Sequence, residues 1–409
     1  MATISERLPS PGPRPYHIQV MRTRPNRPIY LDNQATTPCD PRVVAAMLPF
    51  FTERFGNPHS AEHVMGRDAE AAVEAARGEI AALIGAEARE IVLTSGATES
   101  NNIAIKGAAR FAAGQGTARR RIVTVATEHK CVLESVADLA AEGFEPVVLP
   151  VGEDGLLDPD VLRAALEVPS LLVSVMAVNN EIGVVQDLAV LAAIARAAGA
   201  LFHTDAAQGF GKIPLDVGAM GIDLMSISGH KIYAPKGVGA LYVRRRPRVR
   251  LAPLFSGGGQ ERGLRSGTLA APLIVALGEA ARIALAEMAE DAARLAGLRD
   301  RMMARLGAAL PGLVMNGSPA ARIAGNLNLT FPRATAEAMM RGAPELCVST
   351  GSACSSAEVE PSYVLRALGL DDAAAARTLR IGIGRFTSPA DIDAATDLLV
   401  AAHNAEHEA

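Results

Sequence analysis

The chain has 409 residues, with 40 Lys and Arg against 44 Asp and Glu, a formal net charge of −4. Length allows roughly two to three domain-sized units and a large buried core, and the mildly acidic balance gives no support for nucleic acid as the main partner. No apolar run reaches the roughly 18 residues of a membrane span, and the first residues lack the uninterrupted apolar core of a secretory signal.

Residues 1–28 stand apart. Pro11, Pro13, Pro15, Pro25 and Pro28 are interspersed with arginines, and proline this dense prevents a regular helix. The expectation is a flexible or surface-draped extension. From residue 29 the pattern alternates. IYLD reads as a short strand. The stretch 67–84 puts Ala69, Ala72, Val73, Ala76, Ile80 and Leu83 on one helical face. EIVLTS is a strand, and Thr98 to about Phe111 is a helix. RIVTVATEH is a strand that ends at His129, followed by a helix near 132–142. EPVVLPV, LLVSVMAVNN, ALFHTDAAQ, LMSISGHK and GALYVRR are further strands. Short apolar strands alternating with helices predict an α/β architecture, a largely parallel sheet covered on both faces. Ligands are then expected at the carboxyl ends of the strands. A long helical stretch, about 270–308, leads into a smaller α+β unit with strands RIAGNLNLTF, LCVST and TLRIGIG and a helix from about Pro389. The expected division is an extension (1–28), a large unit (29–269) whose first residues could pack with the small one, and a C-terminal unit (270–409).

Lys231 closes the apolar stretch LMSISGHK. Burial disfavours a lysine cation and lowers its pKa, which suits a Schiff-base lysine; a lysine merely reaching solvent reads the same way. Asp205 ends another apolar strand, 26 positions earlier. A carboxylate there can keep the pyridine nitrogen of pyridoxal phosphate protonated, making the ring an electron sink. The segment Thr94-Ser95-Gly96-Ala97-Thr98 follows a strand and opens a helix, so its free N–H groups can cradle a phosphate. His129 is placed to stack on a cofactor ring and move protons near neutral pH. His203 reads as core or edge packing, and the histidines show no metal-ligand spacing.

The four cysteines, Cys39, Cys131, Cys347 and Cys354, form no CxxC pair. A reducing cytoplasm fits them best. Cys354 sits among Gly, Ser and Ala, in what reads as an exposed loop where a thiol can ionise and attack. Cys39, Cys131 and Cys347 read as packing residues. In TLRIGIGR a guanidinium can grip a carboxylate, and the pattern leaves Arg380 and Arg385 as alternatives.

Ten segments in order resemble the cysteine desulfurase family, within the class-V aminotransferase group of fold-type I pyridoxal-phosphate enzymes. They are YLDNQATTP (30–38), FGNPHS (55–60), TSGATESNN (94–102), TEHK (127–130), VNNEIGVVQD (178–187), HTDAAQ (203–208), SGHKIYAPKG (228–237), GGGQERGLRSGT (257–268), GNLNLTF (325–331) and STGSACSS (349–356). The resemblance covers about residues 29–400. The GSAC segment followed by EPSYVLRALG is similar to the iron–sulfur-cluster type.

The resemblance implies a mostly parallel seven-stranded sheet in the large domain and a smaller α+β C-terminal domain. It implies that Lys231 binds pyridoxal phosphate and moves the Cα proton, that Asp205 pairs with the ring nitrogen, that Gln208 bonds the ring hydroxyl, and that His129 stacks on the ring. Ala97, Thr98, Ser228 and His230 would bind the phosphate. Thr268 would reach the phosphate of a partner subunit, hence a homodimer. Asn180 would lie beside ring and substrate, and Arg380 would take the carboxylate of L-cysteine. Cys354 would receive the sulfur as a persulfide and pass it to an acceptor. The nearest alternative is a selenocysteine lyase or another class-V aminotransferase or lyase. The family's iron–sulfur type usually continues past the final helix with a tail that docks a scaffold protein. This sequence stops at HNAEHEA, which leaves that partner an open expectation.

Overall fold

The computed structural model describes residues 28–350 and 362–405. The expected nucleophile, Cys354, and residues 1–27 lie outside the described residues. The short strand β1 (Ile29–Tyr30) precedes a seven-stranded sheet. Its members are β2 (Ile91–Thr94), β3 (Arg121–Val125), β4 (Glu145–Leu149), β5 (Ser170–Ser174), β6 (Leu201–Asp205), β7 (Leu224–Ser228) and β8 (Gly239–Val243). The spatial order is β2-β8-β7-β6-β5-β3-β4. All neighbours are parallel except that β8 runs against both β2 and β7.

The central strands are buried along their whole length, which is why β5 (SLLVS) and β7 (LMSIS) read as nearly continuous apolar runs. Two separate apolar clusters cover the two faces. One gathers Val73, Ile80, Leu191, Phe202 and Ile274; the other gathers Ile103, Ile105, Val132, Val136 and Leu224. Helix Val64–Leu83 buries Ala69, Val73, Ala76, Ile80 and Leu83, the face expected from the spacing. It packs against helix Ala271–Ala309. A Cβ on Gly278 would stand 2.6 Å from the Cβ of Ala76, so only glycine permits this approach.

That 39-residue helix is about 58 Å long at 1.5 Å per residue. Its first half feeds the sheet core through Ile274 and Leu277. Its second half feeds another core through Leu298, Met302 and Leu306. The second core is built on β9 (Val314–Met315), β10 (Asn326–Thr330), β11 (Leu346–Cys347) and β12 (Thr378–Gly382). β12, β10 and β9 form an antiparallel three-stranded sheet. β1 pairs in parallel with β11, and Leu31 is buried in this second core. Among the described residues no helix is long and apolar enough to cross a membrane.

Candidate active site

Two expected strand ends fall earlier than the sequence pattern implies. β3 stops at Val125, so His129 caps helix Lys130–Asp138 rather than ending a strand. The intervening polar residues are diverted to other partners. Asn179 Nδ2 donates to the Thr127 carbonyl at 2.7 Å, and Glu128 Oε1 accepts the Met176 N–H at 2.5 Å. Likewise β7 stops at Ser228, and Lys231 lies in the short 3₁₀ turn that follows.

Asp205 closes β6 and is 4% exposed. Its Oδ1 accepts from the Ala207 N–H at 2.9 Å and its Oδ2 from Asn101 Nδ2 at 2.7 Å. A carboxylate accepts about four hydrogen bonds, so a protonated ring nitrogen still finds an acceptor here. Asn101 also stands 3.1 Å from Cys131 Sγ, which is 3.0 Å from His129 Nδ1. Cys131, expected as a packing residue, therefore belongs to the site's network. The backbone N–H of Cys131 donates to His129 Nδ1 at 3.2 Å. A ring nitrogen that accepts is unprotonated, so the neutral imidazole carries its hydrogen on Nε2.

Lys231 Nζ donates to two backbone carbonyls, Gln34 at 2.6 Å and Ala35 at 2.7 Å. Gln208 Nε2 donates to the same Gln34 carbonyl at 2.7 Å. His230 Nδ1 lies 3.1 Å from Thr36 Oγ1. Burial, then the nearby charges of Lys231, Lys236 and Lys212, lower the His230 pKa to about 4, so it is a neutral ring at pH 7. The strand–turn–helix at β2 places Gly96 (φ +152°) immediately before helix Ala97–Gly114, whose start has no side-chain cap. The N–H groups of Ala97 and Thr98 belong to that uncapped first turn, which favours an anion. A Cβ at Gly96 would point toward Ser228 Oγ, 3.9 Å away. Thr268 is exposed, in a segment tied to the same helix by Arg265 Nε donating to Glu99 Oε1 at 2.8 Å.

Arg380 lies on β12 and is buried. Its Nη2 pairs with Asp32 Oδ1 at 2.8 Å, and its Nη1 donates to the Asn180 carbonyl at 3.1 Å. Its Nε is buried with no hydrogen-bond partner among the described residues. Arg385, the alternative, is held by Asp40 at 3.0 Å and Asp291 at 2.8 Å, with its guanidinium over the Tyr233 ring. The segment 32–35 therefore runs from the Arg380 pair to the Lys231 ammonium.

The chain on either side of residues 351–361 is anchored at this same place. Ser349 exchanges backbone hydrogen bonds with Arg380 at 3.2 and 2.6 Å. Ser362 Oγ donates to buried Glu181 at 2.6 Å, and Tyr363 Oη donates to the Glu128 carbonyl at 2.7 Å. Burial first, then the charge of Asp205, push the Glu128 carboxyl well above its ordinary range. Glu128, Asn101 and the Gln34 carbonyl carry no sequence signal that singles them out.

An aspartate at a strand end, a lysine in the turn after another strand, an uncapped helix start and an imidazole at a helix cap gather on a sheet with one reversed strand. These residues fit pyridoxal phosphate, and the arrangement is that of the fold-type I enzymes using it. Comparison with known proteins narrows the class. The aminotransferase class-V family model matches residues 29–395. Cysteine desulfurase IscS of Rickettsia bellii is 55% identical over 372 residues, 91% of this chain and 90% of that one. A mitochondrial cysteine desulfurase of Drosophila melanogaster is 55% identical over 371 residues, 91% of this chain and 80% of that one. The solved structure of a NifS-like protein superposes with a TM-score of 0.84 at 34% identity, covering 91% of this chain and 98% of that one. The chain belongs to the cysteine desulfurases of the class-V aminotransferase family, pyridoxal-phosphate enzymes that act on cysteine.

Proposed function

We propose that the chain desulfurates L-cysteine with Lys231, Asp205, His129, Arg380 and Cys354, leaving the sulfur on Cys354 as a persulfide. The observation that carries the assignment is the meeting of Lys231 Nζ and Gln208 Nε2 on one carbonyl, that of Gln34, in a segment that also supplies the partner of Arg380. Lys231 and Asp205 would hold the cofactor, Gln208 would reach its ring hydroxyl, and His129 would stack on its ring. Ala97, Thr98, Ser228 and His230 would hold its phosphate. Bound pyridoxal phosphate supplies an electron sink for the Cα electrons of cysteine. Lys231 takes the Cα proton and returns it. Arg380 and Asn180 orient the substrate, with the free Arg380 Nε facing the carboxylate. The Cys354 thiolate attacks the substrate sulfur. An S–S bond forms, the C–S bond breaks with its electron pair going to carbon, and protonation of that carbon gives alanine.

Three residues lie between Thr350 and Cys354, so four backbone steps set a covalent reach of at most about 14 Å. The described chain before this segment ends beside Arg380, to which Ser349 is pinned. In the same reading residues 29–269 and 270–409 act as two units, with residues 29–34 packing on the second. The exposed side chains of Phe51, Phe55 and Val64 and the exposed Thr268 support a homodimer in which Thr268 reaches the partner's phosphate. The persulfide would pass to a sulfur acceptor, such as a scaffold for iron–sulfur clusters. A nucleophilic thiol at Cys354 needs to stay reduced, which favours a reducing cytoplasm.

The test pairs wild-type protein with Cys354→Ala, both given L-cysteine and a thiol reductant. The expected result is alanine and sulfide in equal amounts from the wild type. The variant should keep the cofactor's visible absorption but lose turnover by about 10³-fold or more. Unchanged sulfide release from the variant removes Cys354 from the reaction and moves the lyase or aminotransferase alternative forward.

A further inference from the structure

Lys212 has no part in the roles assigned above. Its Nζ donates to Gln208 Oε1 at 2.8 Å. Gln208 Nε2 donates to the Gln34 carbonyl, which also takes Lys231 Nζ. Two lysines thus stand at the two ends of one amide–carbonyl pair. A glutamine amide can be turned over at little steric cost. The protonated amine only donates, so in that form Lys212 holds Oε1 toward itself and Nε2 toward the Lys231 side.

The charge is unusual in its surroundings. Lys212 borders a cavity of about 50 Å³ shared with Gln34, Tyr233, Asp291 and Arg385. Gln208 is the one hydrogen-bond partner of its Nζ among the described residues, and no described carboxylate pairs with it. Across the cavity Asp291 is taken by Arg385 at 2.8 Å. The groups whose charge it feels are cations, Lys231 and Arg380, and burial together with these lowers its pKa to about 7. It acts in turn on His230. A partly buried cation whose ammonium has a single neutral partner, with other cations as the nearest charges, opposes folding, so stability does not account for it.

We propose that Lys212 is a positioning residue for the cofactor. It fixes Gln208 as a donor toward the ring hydroxyl, and its charge holds down the proton affinity of the nitrogen that Lys231 contributes to the cofactor. The inference rests on the cofactor reading above. Removing the cation makes that nitrogen easier to protonate, so the pH midpoint of the bound cofactor's visible absorption change moves up.

The experiment is a pH titration of that absorption in wild-type holoenzyme, Lys212→Met, Lys212→Gln and Lys212→Arg, together with the dissociation constant for pyridoxal phosphate. Lys212→Met and Lys212→Gln should raise the midpoint by about one pH unit. Lys212→Met should weaken cofactor binding about tenfold, the effect of one lost hydrogen-bond donor to an ionised oxygen. Lys212→Arg should restore the midpoint. Midpoints within about 0.2 unit of wild type in both neutral variants, or an arginine variant as displaced as the neutral ones, overturn the inference alone. A wild type that binds no cofactor overturns the cofactor reading on which it rests. Should Lys212→Met not fold, Lys212→Gln carries the same decision.

Discussion

Arg77 and Arg380 are both buried opposite a carboxylate, and they are completed in different ways. Arg77, on the helix beneath β2, makes a two-pronged pair with Glu261 at 2.8 Å on each side. Its remaining contacts go to the Ile91 carbonyl and Glu74, and Glu261 also accepts the Leu93 N–H. The cluster is closed. Arg380 touches one oxygen of Asp32 and one carbonyl, and its Nε is left over. Planar pairing saturates a guanidinium and turns it into a structural rivet. A one-pronged pair holds the side chain in place and keeps a donor for a visitor. The first arginine fixes the loop 257–268 against β2; the second, in the function proposed above, keeps a donor for the substrate's carboxylate at the seam between the two cores.

The contrast breaks most visibly at Arg77. Arg77→Met strands Glu261, 2% exposed, without its counter-charge. Breaking one partner of a buried pair costs about 3–5 kcal/mol, so denaturant unfolding should show a loss of that size, with little change in the KM for cysteine. A Tm and midpoint equal to wild type would mean that the pair is not closed as described. At Arg380 the effect should move from stability to kinetics. Arg380→Lys keeps the positive charge beside Asp32 but removes the fork. The expected loss is about 2–3 kcal/mol in kcat/KM, roughly 30- to 150-fold, carried mainly by KM. A variant whose kcat/KM holds while its melting temperature collapses would show Arg380 to be a second rivet.

How much of this could be read from the sequence depends on what kind of group does the work. Asp205 and Lys231 were legible because a charged residue at the end of an apolar run demands a reason. Arg380 and Arg385 could not be separated by pattern, since both sit in one glycine-rich strand end. Asp40 and Asp291, which occupy Arg385, come from distant parts of the chain. His129 was placed one element too early because Thr127 and Glu128 continue a plausible alternation; their buried partners, Asn179 and Met176, exist only in the folded chain. The Gln34 carbonyl, on which two side chains of the site converge, was invisible because every residue has a backbone carbonyl. Cys131 was set aside as packing because nothing in HKCVLES shows that Asn101 reaches its sulfur. Local pattern exposes the groups whose burial is expensive, and tertiary placement supplies their partners.

His203 extends the contrast to a buried base that stays uncharged. It sits in mid-sheet on β6, fully buried, with Nδ1 2.8 Å from Ser174 Oγ on β5 and Nε2 3.0 Å from Ser226 Oγ on β7. Hydroxyls can donate or accept, so the neutral ring is satisfied on both sides. Protonation would place a charge in the sheet with no counter-ion among these contacts. Burial accordingly lowers its pKa from 6.5 to about 3. The sign follows from linkage. Between those two values the unfolded chain binds the proton and the folded chain does not, so stability falls as pH drops from about 6.5 toward 3. One pH unit below the unfolded value the loss is about 1 kcal/mol. His203→Gln keeps a donor and an acceptor but cannot titrate. Its unfolding free energy should be lower than wild type at pH 7.5, yet lose about 1 kcal/mol less on going to pH 5.5. Parallel pH curves for the two proteins would mean that the ring takes up its proton inside the fold, and that the serine rungs tolerate a cation.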